Sequence, residues 1–90
     1  MTQPTDPYQK IRATLLRCWS EILEIPDEEI SDSSNFFFDG GDSLLAVNLA
    51  WAAGGELGVE IPLDPLLLDG TFGALLEAIA DVVSASPGTA

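Results

Sequence analysis

Residues 39–43 read Asp-Gly-Gly-Asp-Ser, and the Ser43 hydroxyl is the group in this sequence best set up for chemistry. Eleven residues free of proline and glycine, Ser43 to Ala53, follow the two glycines, which describes a loop turning into a helix with Ser43 at the turn. Gly40 and Gly41 can both adopt positive φ and let the backbone come close to an approaching molecule. Asp42 suits a helix N-cap, because its carboxylate can accept the free amides of the first turn. Ser43 then sits in that first turn beside the positive end of the helix dipole, a place that favours a phosphate. A serine presented this way is suited either to being modified or to attacking a substrate.

Attack needs an adjacent base, nearly always histidine. The chain has no histidine, and its only lysine, Lys10, is far from Ser43 in sequence. The tetrapeptide Gly-Asp-Ser-Leu is shared with a family of serine esterases, but 90 residues are short for a catalytic α/β sandwich. The nucleophilic reading of Ser43 is therefore disfavoured, and a serine that is itself modified is the competing reading. Metal chemistry is disfavoured as well: the single cysteine falls in an apolar stripe, and the acidic residues lack calcium-loop spacing. A phosphate-cradling loop of the P-loop type is not found.

The totals set further bounds. Ninety residues make one small domain, and an apolar fraction of 47% is ordinary for a globular chain. No apolar run is long enough to span a bilayer, and the start, MTQPTDPYQK, lacks the apolar region of a secretory signal. One cysteine forbids an internal disulfide, which points to a reducing, cytoplasmic setting. Fifteen acidic residues against three basic ones give a net charge of −12. The three cations, Lys10, Arg12 and Arg17, all precede Cys18. Such a surface repels nucleic acid and anionic lipid and steers basic partners toward it. Acidity that serves solubility alone is the plainer alternative.

The elements that must position Ser43 follow from periodicity. Residues 1–5 read as a disordered lead-in, and 85–90 as a frayed tail, around a domain at 6–84. Asp6 can cap a first helix with Pro7 at its first position. Tyr8, Ile11, Leu15, Cys18, Trp19 and Ile22 then form one apolar stripe, with Gln9, Ala13, Ser20, Glu21 and Glu24 opposite. Cys18 in that stripe reads as a small buried hydrophobe, and Pro26 closes the helix by disfavouring helical backbone at Ile25. The long polar connection over 26–42 should carry short turns of its own or a function. At least two of Phe36, Phe37 and Phe38 should plug this loop into the core.

The spacing predicts a second helix from Ser43 to about Ala53, ended by Gly54 and Gly55. One side carries Leu45, Ala46, Leu49, Ala50, Ala52 and Ala53, and the other Ser43, Leu44, Val47, Asn48 and Trp51. The alanine-rich side is expected to face the core, which leaves Leu44, Val47 and Trp51 exposed around the serine as an interaction surface. The alternative is a helix buried on both sides, and Trp51 decides between them. Residues 57–63 read as an extended connector and Asp64 to Leu68 as a very short helix closed by Asp69-Gly70. Thr71 can cap a last helix that aligns Phe72, Leu75, Leu76, Ile79, Val82 and Val83. The expectation is all-α: three principal helices, one short helix and a long first loop.

The string FFFDGGDSLLA at 36–46 resembles the phosphopantetheine attachment site of carrier proteins, in particular the peptidyl carrier (thiolation) domains of nonribosomal peptide synthesis. The resemblance extends over nearly the whole chain. Trp19 with Ile22-Leu23 is similar to the end of the family's first helix, Ile61-Pro62-Leu63 to its approach to the short third helix, and Thr71, Ala74 and Leu75 to the opening of its last. It implies a four-helix carrier bundle in which Ser43 is esterified with 4′-phosphopantetheine by a phosphopantetheinyl transferase that uses coenzyme A and magnesium. Gly40, Gly41 and Asp42 then belong to the attachment site, and Leu44, Val47, Asn48 and Trp51 to a partner-binding face. The thiol of the arm would carry an aminoacyl or peptidyl thioester for an adenylation enzyme and for condensation or tailoring enzymes.

Two positions depart from the family pattern. Asp39 stands where an apolar residue is usual and Phe38 where a polar one is, which raises a shift of the aromatic anchor by one residue. The arginines common along the family's second helix are also lacking. An initial methionine and the lack of a second domain suggest a freestanding monomeric carrier, while a domain of a larger synthetase fits equally. Two other readings remain open at this point: an acyl carrier for polyketide or fatty-acid synthesis, and an acidic helical adaptor for a basic partner.

Overall fold

The computed structural model describes residues 7–85, which form four α-helices and one short 3-10 turn. Helix α1 spans Pro7–Leu23, α2 Ser43–Leu57, α3 Asp64–Leu68 and α4 Phe72–Ala85, with the 3-10 turn at Asp27–Glu29 inside the long first loop. The expected all-α bundle of three principal helices, one short helix and a long loop is what forms. Helix α1 packs against α2 and α4, and α3 packs against α4. No helix among the described residues is long and apolar enough to cross a membrane. The expected Asp6 cap, the lead-in 1–5 and residues 86–90 of the tail lie outside the described residues.

The stripe of α1 sits as its spacing requires. Ile11, Leu15, Cys18 and Trp19 are buried and Ile22 half-buried, whereas Tyr8 stays largely exposed at the first turn. Burial pushes the Cys18 thiol pKa up, which disfavours the thiolate and suits an inert core residue. Thr14 is also buried, a polar residue that the stripe did not include. The helix closes at Glu24, whose φ of 59° is left-handed. The Ile25 amide donates back to the Ser20 carbonyl at 3.1 Å, and the Ser20 hydroxyl donates to the Ile25 carbonyl at 2.5 Å. These bonds make a Schellman-type end in which Glu24 takes the place usually given to glycine. The Ser20 side chain, expected on the outer face, is half-buried because it makes this contact.

Aromatic rings join α1, the loop and α4. Trp19 is fully buried and meets Phe36 and Phe72 edge-on, with centroids 5.2 Å apart in both pairs. Edge-to-face pairs of this kind add to the stabilisation from burial alone. The loop is also tied to the start of α4 by its backbone. Phe72 donates to the Ser34 carbonyl at 2.9 Å, Gly73 to Asp32 at 2.8 Å and Phe36 to Gly70 at 2.7 Å. Two amides at the start of α4, which no carbonyl of the helix can reach, are thereby satisfied by the loop. The Thr71 hydroxyl accepts from the Ala74 amide at 3.3 Å, the cap expected of it. Asn35 and Thr71 make an isolated antiparallel bridge, and the described residues contain no strand.

Helix α2 corrects the sequence reading at its end. It runs through Gly54 and Gly55 to Leu57 and is capped by Gly58 at φ 73°. The extended connector is accordingly shortened at its start and begins after α2. Gly54 serves close approach rather than termination: a Cβ there would lie 2.6 Å from the Val59 carbonyl oxygen. The chain leaving α2 folds back onto the helix at that point, and both Gly58 and Val59 donate to the Gly54 carbonyl.

The loop packs closely at Gly41, where a Cβ would overlap the Phe36 ring. Gly41→Ala is therefore expected to lower stability by about 1–3 kcal/mol through overpacking. Urea unfolding followed by far-ultraviolet circular dichroism checks this, and a midpoint equal to that of the parent would refute the contact.

Candidate functional site

The start of α2 is built from the loop outward. Phe36 is fully buried, its carbonyl accepts from the Gly41 amide at 2.9 Å, and its ring lies against the Gly41 backbone. Phe37 is half-buried, with its ring 5.5 Å from that of Phe36. The anchor is thus Phe36 with Phe37, and the one-residue shift that Phe38 and Asp39 raised does not occur. Asn35 organises the turn that follows: its Oδ1 accepts the Phe37 and Phe38 amides at 2.9 and 3.2 Å. Gly40 takes the expected positive φ, at 110°. Gly41 does not, and its lack of a side chain is used by the Phe36 ring instead.

Asp42 is the N-cap of α2, with extended backbone and its Oδ1 accepting the Leu45 amide at 2.9 Å. Ser43 is the first residue of the helix and is exposed. The amides of Ser43 and Leu44 belong to the first turn, where no carbonyl within the helix can accept them. An anion attached at the Ser43 oxygen would lie at this positive end of the dipole. On the loop side the space beside Gly40 is open, since nothing lies within 4 Å of where its Cβ would be. The residues present therefore fit a phosphodiester.

The face beyond Ser43 is apolar and open. Leu44, Val47 and Trp51 are 70%, 41% and 79% exposed, and Asn48 is exposed beside them. Trp51 therefore settles the question it posed, and α2 is not buried on both sides. Toward the core α2 presents Ala46, Leu49 and Ala53, with Leu45 and Ala50 half-buried. Ala52, expected on that side, is exposed. Between α2 and the returning chain lies an open groove of about 440 Å³, lined by Val47, Trp51, Gly54, Val59, Ile61 and Leu63 among others.

Sequence reasoning missed two apolar groups. Phe38 and Leu68 are each 88% exposed, and Leu67 is 54% exposed. For the leucines the signal was present, because three in a row on a helix point about 100° apart and only Leu66 can face the core. The choice among the three phenylalanines carried no such signal.

Comparison with known proteins gives a consistent answer. The family described as "Phosphopantetheine attachment site" matches residues 13–79. Malpibaldin synthetase of Mortierella alpina is 33% identical over 78 residues, which is 87% of this chain and 1% of that protein. Surfactin synthase subunit 1 of Bacillus subtilis is 36% identical over 76 residues, 84% of this chain and 2% of that protein. A phenolphthiocerol/phthiocerol polyketide synthase of Mycobacterium tuberculosis is 39% identical over 77 residues, 86% of this chain and 5% of that protein. The chain thus spans a few hundredths of the length of these relatives. No solved structure gives a significant match.

Two substitutions test the geometry. Asp42→Ala removes the cap bond and should destabilise the fold by about 1 kcal/mol, with Asp42→Asn close to the parent, as read from thermal melts. Trp51→Ala should leave stability within about 0.5 kcal/mol, because the indole lies outside the core. A large fall in the melting temperature of Trp51→Ala would put the side chain back into the packing.

Proposed function

This chain belongs to the phosphopantetheine attachment family, whose members carry a covalently attached 4′-phosphopantetheine, and from that membership we propose that Ser43 is the attachment point. It works as a carrier domain, not as a catalyst, and the adaptor reading is set aside. The observation that carries the assignment of Ser43 is its place as the exposed first residue of α2, beside the Asp42 cap and behind two glycines. A phosphopantetheinyl transferase would join the Ser43 oxygen to the pantetheine phosphate of coenzyme A, displacing 3′,5′-ADP. The hydroxyl proton passes to a base on that enzyme, which is why the site needs no histidine of its own. The attached phosphodiester would then sit at the positive end of α2, with open space beside Gly40.

The cargo reading is a peptidyl carrier, spanning residues 6–84, that holds an aminoacyl or peptidyl thioester. Support comes from similarity to malpibaldin synthetase and surfactin synthase subunit 1. An adenylation enzyme would load the thiol, and condensation or tailoring enzymes would take the group on. Leu44, Val47, Asn48 and Trp51 are the face offered to them. A second reading has a specific observation behind it: the mycobacterial polyketide synthase relative is 39% identical, which favours an acyl carrier. The loading partner separates the two, since an adenylation enzyme delivers an amino acid and an acyltransferase an acyl group from coenzyme A.

Incubation with coenzyme A, magnesium and a broad-specificity phosphopantetheinyl transferase should add one phosphopantetheine to the parent and none to Ser43→Ala, as read by intact mass. Failure of a demonstrably folded parent to gain mass would reject the carrier reading, and modification of Ser43→Ala would reject the site.

A further inference from the structure

Of the three consecutive phenylalanines, Phe38 is the one that the fold leaves in water. Phe36 and Phe37 complete the aromatic anchor, while Phe38 is 88% exposed. Its backbone is nonetheless held firmly. The Phe38 amide donates to Asn35 Oδ1 at 3.2 Å, and the next amide, Asp39, donates to the Asn35 carbonyl at 3.0 Å. Asn35 Nδ2 in turn donates to the Asp69 carbonyl at 3.3 Å, at the end of α3. The ring is carried on a clamped turn, so the backbone beneath it loses little freedom when something covers it. An apolar group held in a fixed place in water is characteristic of a contact surface.

Chain length limits what that contact can be. Phe38 precedes Ser43 by five residues, so even a fully extended chain would separate their Cα atoms by no more than about 18 Å. The turns closed from Gly41 to Phe36 at 2.9 Å and from Gly40 to Phe37 at 3.4 Å make the true distance shorter. A footprint of about 800 Å² centred on Ser43 has a radius of about 16 Å, enough to cover the loop tip. Enzymes that act on the thiol meet the far end of the arm. The enzyme that esterifies Ser43 must bring its active site onto the hydroxyl itself.

We propose that Phe38 is a docking contact for the transferase that esterifies Ser43, seated in an apolar recess bordered by arginine or lysine. The proposal rests on Ser43 being the attachment site. The basic border follows from the charges beside the ring. Asp39 and Asp42 are exposed, and neither takes part in the ion pairs among the described residues, which engage Glu21, Asp32 and Glu56. The sequence has no cation beyond Arg17 to neutralise them. Asp39 thus gives the loop tip an apolar group beside an unpaired charge, and a partner must match both.

The test compares the parent, Phe38→Ser and Phe38→Leu as substrates of a broad-specificity phosphopantetheinyl transferase with coenzyme A and magnesium. Phe38→Ser should raise KM for the carrier about tenfold with kcat within about twofold, and Phe38→Leu should recover most of the loss. Melting temperatures of all three should coincide. An unchanged KM for Phe38→Ser, with the parent efficiently modified, overturns the proposal. So does a marked fall in the melting temperature of Phe38→Ser, which would make the ring part of the fold. No modification of the folded parent would remove the attachment reading itself, and the docking role with it.

Discussion

The seat of Phe36 is the contact on which the placement of the serine depends. Its ring fills the space between Trp19 and the Gly41 backbone, its amide donates to Gly70 and its carbonyl accepts from Gly41. One residue therefore ties α1, the joint between α3 and α4, and the last turn before α2. Trp19 extends the tie to α4 through Phe72. The indole nitrogen is buried with no hydrogen-bond partner among the described residues, so Trp19 acts here through packing alone. The seated Phe36 holds Gly41 by its ring and its carbonyl, and Asp42 and Ser43 follow directly in the chain. A flexible polar loop of this length would otherwise leave the hydroxyl spread over many positions.

Much of this was legible in the sequence because several local rules agreed. The order Gly-Gly-Asp-Ser before an apolar stretch names a turn, a cap and a helix start, and Gly40, Asp42 and Ser43 act as predicted. The stripe of α1 and the spacing from Phe72 to Ile79 likewise find the core. The misreadings fall where one residue type serves two physical purposes. Glycine ends helices, and it also admits a neighbouring backbone; at Gly54 the second purpose holds, a fact that lives in the distant Val59 carbonyl. Gly41 similarly yields its space to a ring rather than adopting positive φ. Glu24 shows the converse, a left-handed helix end without the glycine that would announce it. Phe38 could not be told from its neighbours because a loop without periodicity gives no face to assign.

Charge is divided between the two ends of the chain in a way that serves the surface. Two of the three cations are spent inside the molecule: Arg12 pairs with Asp32 of the loop at 2.8 Å, and Arg17 pairs with Glu56 of α2. Exposed pairs of this kind contribute little to stability. Their larger consequence is that neither arginine is left to pair with the carboxylates at the start of α2. Those carboxylates stay uncompensated, so basic partners are attracted from a distance and the attraction weakens as salt screens it.

Helix α2 is arranged the opposite way from an ordinary surface helix. It turns the small side chains of Ala46 and Ala53, with Leu49 between them, to the core and leaves Leu44, Val47 and Trp51 outside. Small residues inward allow the close approach to α1 that the packing uses. Large residues outward forgo burial that the fold could have had, and the stability of the domain has to come from the aromatic cluster and from α1 and α4 instead. That separation leaves the outer face of α2 largely without a packing role in the fold. What the fold supplies is a fixed hydroxyl at Ser43, an exposed apolar surface beside it, and a core elsewhere that holds both in place.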